Sequence, residues 1–405
     1  MRSVVLIGFI MFLVVLAGGY SITWYAQASA LKKNVEETIA RINGNQKYIT
    51  YDAIETSGFP SNLYVAIVKP HFKGRMNQLL QSLAPMPNWD EDDALDGQIV
   101  LGINALSNAY SLSFEGNVQQ TSKIGDVVIT TLHQQSGSFS CVLQMHHPMG
   151  IIGTLWDFST LTADDSATFF KDFRMADCNQ AGNATTDAAT HEKLTASGPF
   201  RFYVTQDETS GARRIYVKLE DMEITPHGDA MMAGYILALS PDYSYPINYS
   251  VYGKQNLSLD FIYNGPDAMN GEATLSTFEV SNALYGIKAS GSAKLAQRFP
   301  QAVNITLVCS HCAALVDDMA AHGDLQKTAG YSANPPPPEN IKAFLNAIAV
   351  ADDNDKTAQR FVLTSDLNSG FSVNGKNMGD VMQLVNQYLK PPAKQPMQSA
   401  PTGIK

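Results

Sequence analysis

Two cysteines separated by two residues form the motif in this chain that is best suited to chemistry. Cys309 and Cys312 close a Cys-Ser-His-Cys box, which follows a strand-like run and precedes a helical pattern. A thiolate at a helix start is stabilised by the helix dipole, and a histidine between paired cysteines is typical of oxidising thiol–disulfide centres. The same box can also be a structural disulfide, so its surroundings must decide between the two.

The surrounding sequence favours a structural disulfide. A thioredoxin-like site needs a βαβ core, whereas alternating strands precede Cys309 and a proline run, a hairpin and helical patterns follow Cys312. A bridge between these two residues closes a small loop, so its entropic stabilisation is modest. The chain has four cysteines, and in an exported protein Cys141 and Cys178 can form the second bridge. Thiol–disulfide oxidoreduction at the box is kept as the third functional hypothesis.

The start of the chain predicts a membrane segment. No charged residue occurs from Ser3 to Ala30, and roughly 20 apolar residues are enough to span a bilayer core. Trp24 and Tyr25 would then lie at the membrane interface, where aromatic residues are enriched. We therefore predict that residues 1–28 form a single transmembrane anchor.

A cleaved signal peptide is the alternative. Val4–Ala17 has the length of a signal core, and Ala26–Ala28 resembles a cleavage site. Arg2 before the segment and Lys32 and Lys33 after it leave the positive-inside rule ambiguous. Because the cysteine pattern suits an oxidising space, we expect the bulk of the chain outside the cytoplasm.

Composition excludes one class of partner and supplies no argument for catalysis. The net charge is −10 and Lys and Arg form no cluster, so nucleic acid is not an expected partner. Hydrolase, nucleotide-binding and zinc-protease motifs are missing from the sequence. We therefore predict no catalytic residue, no metal ligand and no cofactor.

Alternation of apolar and polar residues dominates the chain from Gln98 onward. Leu257, Leu259 and Phe261, for example, alternate with Ser258 and Asp260. This period is typical of antiparallel strands with one face in water. We predict a mainly β fold, with an elongated twisted antiparallel sheet shaped like a taco or an open barrel. A few C-terminal helices and the N-terminal transmembrane helix complete it.

The predicted organisation has an anchor, a stalk, one large β domain and a tail. The stalk is a helix over residues 29–45, and the mostly-β domain covers residues 46–390. Residues 336–390 form its closing helix–hairpin–helix part, and residues 391–405 form a disordered tail rich in Pro, Gln and Ser. The acidic run Asp90–Gly97 is expected to be a solvated loop.

The apolar face of such a sheet must be covered by a second sheet, by helices or by an apolar ligand. If the C-terminal helices cover only part of it, an open groove for acyl chains remains. The candidate groove residues are Leu257, Leu259, Phe261 and Ile287. An ordinary closed core is the alternative, since apolar sheet faces are normally packed.

Two segments carry a family resemblance. Tyr20 and Trp24 end the apolar start of the chain, and Ser57-Gly58-Phe59-Pro60 separates two strand patterns; near the other end, a hairpin with Val-Asn-Gly precedes a helix. These features resemble an uncharacterised family of Gram-negative bacterial envelope proteins with a domain of unknown function of the DUF 2125 type. The resemblance implies a single-pass inner-membrane protein with most of its chain in the periplasm. A looser similarity to AsmA-like proteins implies lipid handling.

The turn formed by Ser57, Gly58, Phe59 and Pro60 is predicted to be structural. Gly58 can take a left-handed conformation, and Pro60 fixes φ and gives up its N–H. Phe59 is expected to plug the end of the sheet. A ligand-binding loop is the functional alternative.

Our first functional hypothesis is an envelope protein that binds or shuttles lipid or another apolar ligand at the inner membrane, to which its N-terminal helix attaches it. The second is a non-enzymatic scaffold or assembly factor, which would hold envelope protein partners through exposed sheet edges. The two hypotheses differ in whether the apolar face meets a lipid or a protein.

Overall fold

The structure is a computed structural model of the 405-residue chain. It describes residues 2–44, 48–73, 89–104, 109–124, 127–136, 138–145, 173–207, 209–231, 249–267, 270–296, 299–325, 335–352, 355–366 and 370–389. Strands account for 58% and helices for 26%, and the strands form one large antiparallel sheet. The predicted mainly β, antiparallel class is confirmed.

The longer described helices lie towards the two ends of the sequence. They are α1 (Arg2–Asn43), α2 (Cys312–Ala321), α3 (Pro338–Ile348) and α4 (Met378–Leu384), which continues into a π-helical turn at Val385–Leu389. A short helical stretch also occupies residues 226–231. A 3-10 turn occupies Tyr249–Tyr252. Helix α1 stops where Gly44 takes a φ of 49°, a left-handed conformation that terminates many helices.

The strands of the first half are β1 (Ile49–Thr50), β2 (Ala53–Ser57), β3 (Asn62–Val68), β4 (His71–Lys73), β5 (Trp89–Asn104), β6 (Ala109–Ile124), β7 (Val127–Ser136), β8 (Phe139–Met145), β9 (Phe173–Gln180), β10 (Asn183–Asp187), β11 (Lys193–Ser197) and β12 (Phe200–Gln206). Those of the second half are β13 (Arg213–Ile224), β14 (Gln255–Asp267), β15 (Asn270–Ser281), β16 (Gly286–Ala296), β17 (Phe299–Ser310), β18 (Val350–Ala351), β19 (Ala358–Asp366), β20 (Gly370–Val373) and β21 (Lys376–Asn377).

Several short strands are halves of longer ones. Strands β7 and β8 both lie antiparallel to β6 along the same edge, β7 beside its second half and β8 beside its first half. The pairs β9 and β10, and β11 and β12, are related in the same way. Hydrogen bonds consequently close a ring of eight strands, in the order β6, β8, β9, β12, β13, β11, β10 and β7. The ring arises because three long strands of one antiparallel meander are each divided into two shorter strands: β7 with β8, β9 with β10, and β11 with β12.

Two glycines face each other on β5 and β6, next to the point where the neighbouring strand is divided into β7 and β8. Gly97 of β5 lies directly opposite Gly116 of β6. A Cβ atom on Gly97 would lie 1.8 Å from the backbone oxygen of Glu115, and one on Gly116 would lie 2.2 Å from that of Asp96. Neither position has room for a side chain.

The strand registers place apolar side chains in three rows on one face of the sheet. Directly paired residues of antiparallel strands share a face, so the rows can be followed from strand to strand. Across β12–β16 their members are Phe200, Phe202, Val204, Ile215, Val217, Leu219, Leu257, Leu259, Phe261, Leu275, Phe278, Val280, Ile287 and Ala289. We call the face that carries these residues the dry face.

The opposite face is polar and carries ion pairs between neighbouring strands. Arg214 donates to Asp260 at 2.7 Å, and Lys288 lies 3.3 Å from Glu279. Each pair is partly exposed, so its contribution to stability is small, with a typical value of about 0.2–1 kcal/mol. Because these charged side chains must stay in water, the other face of the sheet is the one that contacts apolar groups.

Helices cover the two ends of the dry face. Helix α1 packs Trp24, Ala28, Leu31 and Ile39 against a hydrophobic cluster that includes Leu63. Spacings of three and four residues give α1 one apolar side, which is why it lies on the sheet. At the other end, residues of α2, α3 and α4 form a cluster on β17, β19 and β20.

Helix α1 runs without a break through the predicted anchor and the predicted helical stalk. The stalk is helical to Asn43 and packs on the sheet. Trp24 is only 4% exposed, and its Nε1 donates to the backbone oxygen of Asn62 at 2.9 Å. Trp24 is therefore a core residue and does not belong to an interfacial belt.

The acidic run Asp90–Gly97 is part of strand β5, so the expectation of a loop is wrong. It pairs with β6 over its full length. Lys123 of β6 donates to Asp92 at 2.8 Å, so the neighbouring strand supplies both backbone hydrogen bonds and a countercharge. Those partners outweigh the low strand preference of aspartate.

In the described part of the chain, no helix combines the length and apolar character that crossing a membrane requires. The membrane anchor over residues 1–28 stays a prediction. Residues 338–389 form α3, the strands β18–β21 and α4 with its π-helical turn. The predicted disordered tail, 391–405, lies outside the described residues.

Replacing Gly97 by Ala is expected to destabilise the protein by about 1–3 kcal/mol, the range for overpacked sites. The added Cβ would meet the backbone of β6, which cannot move without breaking the strand pairing. Thermal denaturation of the full chain in detergent measures the change. Gly19→Ala in α1 is the control, since nothing lies within 4 Å of its added Cβ and alanine favours helix. A Gly97→Ala protein as stable as the wild type would contradict the close approach.

Candidate functional site

The middle of the dry face is the candidate functional site. Its side chains on β13, β14 and β15 are half-buried. Within the described chain they lie outside the three buried hydrophobic clusters, which centre on α1, on Cys141 and Cys178, and on the C-terminal helices. The face is thus covered at both ends and incompletely buried between them.

The structure places all four predicted groove residues on this face. Leu257, Leu259 and Phe261 occupy successive dry-face positions of β14, in its incompletely buried middle. Ile287 lies on β16 and packs against the cluster under the C-terminal helices, so it marks the edge of the groove. Sequence reasoning did not assign Phe202, Val217 or Phe278 to the groove, although they share the face. Their alternation was visible, but the pairing that joins them is set by strand register.

A cavity of about 160 Å³ lies where the dry face meets helix α2. Val280 and Ile287 form its floor, Leu315 and Met319 of α2 form its roof, and Tyr252 and Tyr285 stand in its wall. An apolar cavity of about 150 Å³ can hold a benzene molecule. This cavity therefore has room for a short hydrocarbon segment.

The Cys309–Cys312 disulfide places the roof of the cavity. Cys309 lies on β17 directly opposite Ile287 of the floor, and Cys312 is the first residue of α2. Leu315 and Met319 follow Cys312 by three and seven residues, so they lie on the same side of the helix. The bridge thus holds the start of α2 over the dry face.

Burial of this disulfide argues against a redox role. Cys309 is 3% exposed and Cys312 is 8% exposed, and both pack in a cluster with Ile348, Phe361 and Val373. Thiol–disulfide exchange requires a thiolate to reach one of the sulfur atoms. The surroundings of the box suit a structural bridge, as its sequence context favoured.

The second disulfide joins Cys141 to Cys178 on neighbouring strands. The two residues are directly paired between β8 and β9, with 3.9 Å between their Cα atoms. They pack with Phe139 and Phe202 among others, on the face that continues the apolar rows. This bridge links two adjacent strands in the middle of the sheet.

The cavity wall has one phenol that is paired and one that is not. Tyr252 donates to Oδ2 of the fully buried Asp324 at 2.5 Å. Burial, together with this hydrogen bond, raises the pKa of Tyr252 well above its usual value. The hydroxyl of Tyr285 is buried and has no hydrogen-bond partner among the described residues.

The side-chain amide of Asn282 has hydrogen-bond partners of its own in the cavity wall. The Asn282 side chain donates to the backbone oxygen of Tyr252 at 2.9 Å, and it accepts from the backbone N–H groups of Leu284 and Tyr285. Burial raises the pKa of Tyr285, an effect that Asn282 partly opposes.

The Ser57–Pro60 turn packs against helix α1. The Phe59 ring lies 5.5 Å from that of Trp24 and 6.1 Å from that of Tyr25, and Tyr20 donates to the backbone oxygen of Pro60. Gly58 has the positive φ that the sequence predicted, at 102°. Phe59 is 46% exposed, so the expectation that it plugs the sheet is wrong. The ring of Phe59 packs instead against the aromatic side chains of helix α1.

Metal ligands do not converge in the described residues, where no group of three His, Cys, Asp or Glu side chains could hold an ion. In comparisons with known proteins, no family model matches the chain and no curated protein matches it in sequence. The envelope-family resemblance remains a prediction. The function must be argued from the dry face and its cavity.

Removing the two disulfides should have unequal effects on stability. Loop-closure entropy predicts a loss of about 2 kcal/mol for Cys309→Ser with Cys312→Ser and about 4 kcal/mol for Cys141→Ser with Cys178→Ser. The second bridge closes the longer loop, with a sequence separation of 37 against 3. Thermal denaturation under non-reducing conditions checks the order.

An insulin-reduction assay on the same proteins separates the structural role from a redox role. A structural bridge predicts no activity above background in the wild type or in either variant. Activity that depends on Cys309 and Cys312 would restore the oxidoreductase hypothesis.

Proposed function

We propose that this protein is anchored in the bacterial inner membrane, with the bulk of its chain in the periplasm. There it binds or shuttles lipid acyl chains, or another apolar ligand, on its dry face. The observation that carries the proposal is the set of apolar rows that stay half-buried between two helix-covered ends. Apolar surface that stays partly in water is unfavourable, and contiguous apolar patches mark binding sites.

The dimensions of the face suit an acyl chain. The five neighbouring strands β12–β16 span roughly 20 Å across the strands, at about 4.8 Å per step. One acyl chain in a bilayer fills about half of the roughly 30 Å hydrocarbon core. A chain lying across these strands would contact apolar residues along its whole length.

The location next to a membrane is supported by an exposed aromatic group beside the apolar start of the chain. Tyr20, Tyr25 and Phe59 are 43%, 63% and 46% exposed, and Ile22 is 73% exposed. Exposed aromatic residues are favoured at membrane interfaces. Helix α1 runs unbroken from Arg2, and at about 1.5 Å per residue Tyr20 lies roughly 27 Å along it, close to one hydrocarbon core.

Helix α1 also connects this membrane-facing end to the dry face. Beyond Tyr20 it packs Trp24, Ala28 and Leu31 on the sheet end formed by β1–β3 and β5. The apolar rows start in this cluster and lead into the groove. In this arrangement a lipid leaving the bilayer would meet a continuous apolar surface.

A charge on the dry face should weaken ligand binding, whereas a charge on the opposite face should not. Leu259→Asp is expected to lower the affinity of the purified full chain for diphenylhexatriene by at least about tenfold, because one leucine contact is worth about 1.5–3 kcal/mol. Ser258→Asp is the matched control, since it places the same charge on the polar face of the same strand. Fluorescence titration measures both.

Thermal denaturation of the two variants checks that each remains folded. The proposal is wrong if the wild type neither binds the dye nor carries extractable lipid. Stoichiometric crosslinking of the dry face to another protein, without lipid, would favour the scaffold hypothesis.

A further inference from the structure

The cavity under helix α2 lies at one end of the groove on the dry face. Val280, in its floor, pairs with Leu257 on one side and with Ile287 on the other. Leu257 belongs to the incompletely buried middle of the face, so apolar surface is continuous from the groove to the cavity. The cavity is only partly enclosed. A hydrocarbon chain that lies on the dry face can therefore extend under Leu315 and Met319 of the roof.

The size and lining of the cavity match the last few carbons of such a chain. The volume is about 160 Å³, and the atoms that line it are almost all apolar. Since an apolar cavity of about 150 Å³ holds benzene, a methyl-terminated segment of about six carbons would fill this one. A polar group in the same place would lose its hydration without gaining equivalent partners.

The charges around the cavity disfavour an acidic head group. None of the described residues that line it is positively charged. Burial, together with the carboxylates of Asp324 and Asp318, raises the pKa of Tyr252 in the cavity wall. The same carboxylates would repel the carboxylate or phosphate of an acyl lipid. The uncharged methyl end of the chain is the part that suits this position.

The cavity is closed on its far side by a fixed structure. Ile287 of the floor packs against the buried cluster that contains Cys309 and Cys312. Their disulfide joins β17 to the first turn of α2, so the roof is tied to the sheet at this point. A chain that crosses the dry face towards β16 would meet this cluster and could extend no farther. The position of the cavity therefore sets a limit to chain length.

We infer that the cavity under α2 is the tail pocket of the groove: it binds the methyl end of an acyl chain and limits the length of chain that the dry face accepts. This inference rests on the proposed function. It names the ligand class as single acyl chains that bind with the methyl end under α2 and the polar head directed away from it. Leu315 and Met319 are the residues that determine the length.

Two fatty acids of different length test the tail pocket on the purified full chain. Decanoate and palmitate are each titrated against bound diphenylhexatriene. Met319→Trp places a larger ring in the cavity and should weaken palmitate binding by at least about tenfold, because each methylene removed from apolar contact is worth about fourfold in affinity. Decanoate should bind the variant and the wild type equally, since the shorter chain keeps its contacts on the dry face.

The matched control is Ala314→Trp, which adds the same ring on the exposed side of α2. This variant should bind both fatty acids as the wild type does. Thermal denaturation checks that each variant is folded. Leu315→Trp, which fills the cavity from the neighbouring roof position, replaces Met319→Trp if that protein is unfolded.

Photoreactive palmitates report the direction of the chain in the unmodified protein. One reagent carries a diazirine near its methyl end, and the other carries it near the carboxylate. After irradiation and digestion, mass spectrometry identifies the labelled peptides. The peptide that contains α2 should be labelled by the first reagent and not by the second.

The outcomes separate the inference from the proposed function. Labelling of α2 by the second reagent, or palmitate binding that is unchanged in a folded cavity-filling variant, overturns the inference. Palmitate binding that is lost in Leu259→Asp would in that case still support the groove. If the wild type binds neither fatty acid, the inference fails. If it also binds no diphenylhexatriene and carries no extractable lipid, the proposed function fails with it.

Discussion

The fold rests on a constraint of antiparallel pairing: each residue shares a face with the residue directly opposite, so apolar character is passed from strand to strand. Three apolar rows are carried in this way across β12–β16 and on into the clusters at both ends. A slip of one residue at any pairing would turn an apolar set into water. Ion pairs such as Arg214 with Asp260 hold the opposite face in solvent and oppose such a slip.

A sheet this wide presents more apolar surface than its described helices cover. Helix α1 covers one end, and α2, α3 and α4 cover the other. The buried Cys309–Cys312 bridge fixes where the second cover begins, because it ties the start of α2 to the strand beside the cavity floor. An apparent redox motif thus helps to form the cavity by positioning a helix. An apolar ligand would cover the half-buried side chains on the strands between the two helix-covered ends.

Sequence patterns predicted local features well and long-range ones poorly. The period of two identified Leu257, Leu259 and Phe261 as one face, because that alternation is a property of a single strand. The strand at Asp90–Gly97 was missed, since its stability comes from β6 and the Lys123 contact, which lie far along the chain. The burial of Trp24, expected at a membrane interface, was missed for the same reason: its partner Asn62 lies far along the chain, where helix periodicity cannot reveal it. The cavity has no sequence signature, because it arises from the packing of α2 on the sheet.

Photo-crosslinking from within the dry face tests most directly whether lipid occupies it. Phe278 is replaced by p-benzoylphenylalanine in one protein, and Thr277, its neighbour on the opposite face, in another. After irradiation in native membranes, intact-mass spectrometry of the purified chains identifies what each position touches. Lipid adducts at position 278 and none at position 277 are predicted. Adducts only to the chain itself at position 278, or equal lipid labelling at both positions, would contradict the account.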